Sequence, residues 1–248
     1  MSETDLSEAF AAVGHPPRKA INGELLVKER MKAVLRFDEI NKLENPYAAA
    51  DKANALLKKK AAKRLSKCRG ELMLLLWLAD EVLKRVKKLY RDIDEDAKKA
   101  LMDVAKESYR QYAEGGNEPD SKWLNSEILK TPCPVTGYTY ENEAERKTER
   151  TIEAILSVKK NAEKSEALIR FARYRQTQNE YYTDYVADMA MRKACEDAGV
   201  EKVKWVAARD EKTCKDCMAL NGKIFLLKDV PDKPHPRCRC TLIPVREK

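Results

Sequence analysis

Histidine is almost absent from this chain, with 2 among 248 residues. A histidine-based nuclease or hydrolase centre is therefore poorly supplied. Long apolar runs are absent as well. The longest, Leu72 to Ala79, falls far short of the roughly 20 residues needed to span a bilayer. No secretory signal opens the sequence, which points to a reducing birthplace and away from paired disulfides. Aromatic residues make up 7% and mean hydropathy is −0.65, whereas charged residues make up 36%. Such a composition favours long, exposed helices over a thick core. Proline and glycine are missing altogether from Glu141 to Ala198, so nothing in that stretch interrupts a helix.

Taken in order, the chain divides into five segments. Residues 1–45 read as a polar, partly irregular arm. Gly14-His15-Pro16-Pro17 breaks any helix there and makes His15 a loop residue, and Leu25 to Leu43 suggests a short helix. Residues 46–118 read as a basic helical region opened by Pro46, a residue tolerated in the first turn of a helix. Leu72, Leu75, Leu76, Ala79, Val82, Leu83, Val86 and Tyr90 recur at helical spacing, which predicts one packing helix across them. A second helix is expected from Glu95 to Ala113, stopped by Gly115-Gly116. Residues 119–140 hold Pro119, Pro132, Pro134 and Gly137 and read as a linker with a short helix inside Ser121 to Lys130. Residues 141–199 predict one long helix, or a hairpin bent near Asn161 or around Gln176 to Asn179, with Gly199 as its C-terminal cap. In residues 200–248 the period changes to two: Val203, Trp205 and Ala207 alternate with Lys204, Val206 and Ala208. Lys223 to Leu227 and Cys240 to Val245 are the candidate partner strands. The expected fold is mainly α, a body of long helices with a small β-containing C-terminal module.

The net charge of +8 and the pI of about 9.0 suit a polyanionic partner. The excess concentrates in Lys52, Lys58, Lys59, Lys60, Lys63, Arg64, Lys67 and Arg69, with no acid between them. Lys58 to Arg69 are the candidate contacts to DNA phosphates. The plainer alternative is a solvated helix face. No aromatic residue interleaves with the run, so stacking on bases is not indicated.

The densest chemistry lies near the C-terminus. Cys214 and Cys217 form a C-x2-C pair, followed after a loop by His235, Cys238 and Cys240 in an H-x2-C-x-C arrangement. Two residues between cysteines let one tight turn aim both sulfurs at a point, and two such half-sites supply the tetrahedron that Zn²⁺ prefers. On an extended segment Cys238 and Cys240 face the same way. These five residues compete for four places, and spacing alone leaves the choice open. A Cys–His nucleophile would use one cysteine and leave the clustering unexplained. A catalytic zinc needs an open coordination position, whereas five potential ligands argue for a closed, structural site. A sheet this small is not stable alone, and a metal would hold it together. Cys133 has no partner at ligand spacing, and Asp210 is expected to cap the turn before Cys214.

Trp205, Asp210, Thr213-Cys214, Cys217, Leu220, Gly222-Lys223 and the ending His235-Pro236-x-Cys238-Arg239-Cys240 resemble the Mu F-type phage head morphogenesis family, the minor head proteins of tailed bacteriophages. The resemblance implies a component of the virion made in the host cytoplasm and placed inside the head near the portal. It implies a portal protein as partner, together with other head proteins and packaged double-stranded DNA. It also implies roles in head assembly, DNA packaging or ejection, without enzymatic activity and without a membrane. Some members carry a further enzymatic domain past this motif, and none is expected here. A zinc-stabilised, non-specific DNA-binding protein is the alternative. One departure stands upstream: where the family often carries Arg-Thr-Glu, this chain has Arg175-Gln176-Thr177-Gln178-Asn179-Glu180.

Overall fold

In a computed structural model, residues 45–113, 117–134, 136–208, 213–235 and 238–245 are described. The expected arm, its helix over Leu25 to Leu43, His15 and Asp210 lie outside them. Among the described residues, five helices precede a small sheet. They are α1 (Ala48–Leu74), α2 (Ala79–Tyr112), α3 (Ser121–Glu127), α4 (Tyr140–Ser157) and α5 (Asn161–Asp197). Then come β1 (Lys202–Val206), α6 (Lys215–Leu220), β2 (Ile224–Leu226), a 3-10 turn (Leu227–Asp229) and β3 (Thr241–Pro244).

The expectation of one helix through Leu72 to Tyr90 is wrong. The chain reverses at Leu75 to Leu78, and α1 and α2 form an antiparallel hairpin. The apolar period continues through the turn because Trp77 folds inward to the core while Leu74 and Leu76 point to solvent. The separate helix expected from Glu95 is instead the second half of α2, with Val82, Val86, Leu89, Ile93, Ala97, Leu101 and Val104 forming one buried stripe. In the stretch from Glu141, the bend falls just before Asn161. There Val158 is extended, α5 begins three residues further on, and α5 then runs unbroken through Gln176 to Asn179. Thr139 caps α4 by accepting from the Asn142 N–H at 3.2 Å, and Glu141 and Glu143 occupy the first turn. Gly199 takes φ 69° and closes α5, with its own N–H on the Glu196 carbonyl and the Val200 N–H on that of Cys195.

Helices α1, α2, α4 and α5 pack on one another around two apolar clusters. Residues 119–140 contribute to the first of these: Leu124, Ile128, Cys133 and Tyr140 are buried beside α2 and α5. Between the clusters lies a polar layer. Arg175, 2% exposed, pairs with Asp94 and bonds Gln178, and the Tyr140 hydroxyl lies 3.2 Å from Asn179 Oδ1. The stretch that departs from the family pattern is thus built into the helical body. Among the described residues no helix is long and apolar enough to cross a membrane.

The sheet order is β2-β1-β3, both pairings antiparallel, with Val203 opposite Phe225 and Trp205 opposite Leu242. The alternation read from the sequence is realised: Val203, Trp205 and Ala207 turn inward with Leu242 and three of the motif cysteines, Cys217, Cys238 and Cys240.

Candidate metal centre

Cys214 is the N-cap of α6, and its sulfur accepts from the Cys217 N–H at 3.4 Å. That contact fixes the C-x2-C turn and leaves both sulfurs on one side of it. The second half-site descends on the same point. Cys217 Sγ lies 3.2 Å from His235 Nε2 and 3.4 Å from Cys238 Sγ. Ligands on a tetrahedral zinc sit about 3.5–3.8 Å apart, given bond lengths of about 2.0–2.3 Å, and these two separations are a few tenths of an ångström shorter. The ligand atoms form two groups, Cys214, Cys217 and His235 on one side and Cys217, Cys238 and Cys240 on the other. Within each group all ligand atoms lie within 4.8 Å of one another, and Cys217 belongs to both. A buried set of soft sulfurs with one imidazole could hold a metal.

The protons on these sulfurs are unevenly held. Burial pushes the Cys217 thiol up to about 12. The Cys238 thiol donates to Cys240, which raises Cys238 and lowers Cys240 to about 5, helped by the Ala208 N–H. The thiolate is the form in which sulfur ligates metal.

The centre is bolted to the helical body by polar groups that sequence reasoning did not single out. The buried Tyr47 hydroxyl donates to Asp188 Oδ1 at 2.6 Å and lies 2.9 Å from the Cys240 carbonyl. Lys233 donates to that carbonyl and to the Tyr47 oxygen, and its ammonium is 3.2 Å from Asp188. Arg239 forks onto both oxygens of Asp51 at 3.0 Å each and reaches Asn45. Arg192 of α5 donates to the carbonyls of Val230 and Pro231. Tyr112 of α2 meets Thr241 of β3 at 3.1 Å. No spacing rule links Tyr47 to Asp188 or Lys233; only the unusual placement of an acid on a buried helix face hinted at a partner.

A cavity of about 130 Å³ opens beside the cluster, lined in part by Asp184, Asp188, Lys233, His235 and Cys238. Burial lifts the Asp184 carboxyl to about 7, with the neighbouring charge of Asp188 adding to the shift.

The basic run is divided by the fold. Lys60 and Arg64 reach across the hairpin to Asp96, and Arg64 also to Asp92. Lys58, Lys59, Lys63, Lys67 and Arg69 remain on the exposed side of α1, Lys67 within 4.0 Å of Glu71.

Residues 138–243 match the model of the family described as Phage Mu protein F like protein. The match takes in α4, α5, nearly all of the sheet and all five Cys/His positions. No curated protein and no solved structure matches the chain.

Proposed function

We propose, from the likeness of residues 138–243 to Phage Mu protein F like proteins, that this chain is a minor head protein of a tailed phage. In this reading it sits inside the head at the portal and acts in head assembly, DNA packaging or ejection without catalysing a reaction. The observation that carries it is the family match over the segment that contains the Cys/His cluster. The docking of that segment on α1, α2 and α5 supports a rigid module that presents the helical body to a partner.

The metal of the cluster, in the same reading, is one structural Zn²⁺ per chain with Cys217 as its central ligand. Two observations favour it: the sulfur-rich donor set and the spacing about Cys217. An ion there would cross-link α6 to the loop before β3 and so hold the small sheet. A second reading, non-specific DNA binding, is favoured by the exposed Lys58, Lys59, Lys63, Lys67 and Arg69.

Mass spectrometry of purified heads tests the main reading, and the chain should be found there at a fixed ratio to the portal protein. Elemental analysis of protein purified without chelator should give about one zinc per chain. Heads lacking the chain would overturn the first statement, and a cooperatively folded module free of metal would overturn the second.

A further inference from the structure

The turn between α1 and α2 holds a conformation that the chain itself does not reward. Leu76 and Trp77 sit at φ 50° and 56°, the left-handed region that glycine occupies freely and branched or bulky side chains avoid. Trp77 is compensated, since it is 3% exposed and packs into the second apolar cluster. Leu76 is not. It stands 71% exposed next to Leu74 at 86%, with Met73 and Leu78 also largely in solvent. The result is an apolar knob at the far end of the hairpin. Its backbone donors are closed off internally: the N–H groups of Leu75, Leu76, Trp77 and Leu78 bond to carbonyls of Glu71, Met73, Leu72 and Leu75. The knob can therefore enter apolar surroundings without stranding a donor.

Behind the knob lies a collar of exposed cations, Lys67, Arg69, Lys84, Lys87 and Lys88. Of the acids nearest to it, Glu71 and Glu81 are bound to Arg85, while Asp80 stands exposed beside Leu78. We propose that this tip inserts Leu74, Leu76 and Leu78 into an apolar pocket edged by carboxylates on another protein of the assembled head. Charge complementarity selects that occupant. A second copy of the tip would bring two cationic collars together, which like charges oppose. An anionic bilayer is disfavoured by the inward turn of Trp77, the side chain that membrane interfaces favour. The proposal rests on the head-protein reading and names the surface through which it acts.

The test compares heads from phage carrying wild type, Leu74→Ser/Leu76→Ser, Leu76→Gly, and Lys84→Glu/Lys88→Glu. A photoreactive amino acid in place of Leu76 is carried in a fifth sample. The serine variant should melt like wild type yet enter heads at least about ten-fold less. Leu76→Gly relieves the backbone, so it should melt higher and still be incorporated less. The charge reversal should also lower incorporation, and the photoreactive probe should cross-link to a different head protein at a peptide containing Asp or Glu. Equal incorporation of the serine variant overturns the proposal alone. So does a cross-link to another copy of this chain, or binding to phosphatidylglycerol vesicles that the serine variant loses while head incorporation is unchanged. Absence of wild type from heads overturns the head-protein reading, and this proposal with it.

Discussion

Replacing Tyr47 by Phe removes one oxygen from the junction between the helical body and the cysteine loop. The ring is fully buried and stays, so no large cavity opens. The contacts of Lys233 and Arg239 with the ring face, 5.1 and 5.3 Å from its centre, are kept. What disappears is a 2.6 Å hydrogen bond to the Asp188 carboxylate and an acceptor for Lys233. Lys233 still has Asp188 and the Cys240 carbonyl, so the loss is close to one hydrogen bond to a charged group, about 1.5–3 kcal/mol. We expect a destabilisation of about 2 kcal/mol at pH 8, measured by urea unfolding on the metal-loaded protein with an unchanged m-value. Burial raises the Asp188 carboxyl, while Lys233 and the Tyr47 hydroxyl pull it down. Without the hydroxyl it protonates at still higher pH. The difference between the two proteins should therefore shrink as the pH falls and Asp188 becomes neutral in both. A loss under about 0.5 kcal/mol at pH 8, the range of neutral surface changes, would show that the hydroxyl does not carry the junction.

Cys214→Ser should release the metal and loosen the sheet, whereas Cys195→Ala, buried away from the cluster, should keep full metal content; equal zinc in both would refute the ligand assignment. Asp184 is protonated more readily in the folded than in the unfolded chain, since burial lifts it from 3.8 to about 7. Its penalty is absent below the unfolded value and grows as the pH rises towards 7. Asp184→Asn should accordingly raise stability by roughly 1–2 kcal/mol at pH 8 and leave it nearly unchanged at pH 4, after allowance for partial exposure. Arg239→Lys should cost about 0.5–1 kcal/mol in thermal unfolding, because an ammonium cannot reproduce the fork on Asp51. If DNA is bound, Lys58→Glu/Lys59→Glu/Lys63→Glu should flatten the dependence of affinity on salt, and an unchanged slope would mark the run as a solvated face.

The motif and the sheet were legible because both depend on short-range spacing. Cys214 and Cys217 share one turn, and Val203, Trp205 and Ala207 alternate along one strand. The Gly199 stop and the bend before Asn161 were legible for the same reason. The hairpin turn was not, since no glycine, proline or asparagine marks Leu75 to Leu78 and the apolar period runs straight through it. Its formation depends on the core that receives Trp77, which is a tertiary effect. The acids that pair with Lys60 and Arg64 of α1 were equally hidden. Asp92 and Asp96 lie on α2, and only the folded hairpin brings them to Arg64. No short-range pattern marks Arg175 as buried; Asp94, far away in sequence, takes it into the interior.

The contact between the Tyr47 hydroxyl and the Cys240 carbonyl joins residues 193 positions apart. On a ribosome moving at about 5–20 residues per second, Tyr47 emerges roughly 10–40 s before the carbonyl that completes its surroundings. During that interval the start of α1 carries a buried-type tyrosine and Asp51 without their partners Lys233 and Arg239. The nascent hairpin can gather around Trp77, Val82 and Val86, but its opposite end stays open until the cysteine loop arrives. Closure of that end is thus tied to the synthesis of the cysteine loop, and a chaperone acting late in translation would meet the chain before that end is closed.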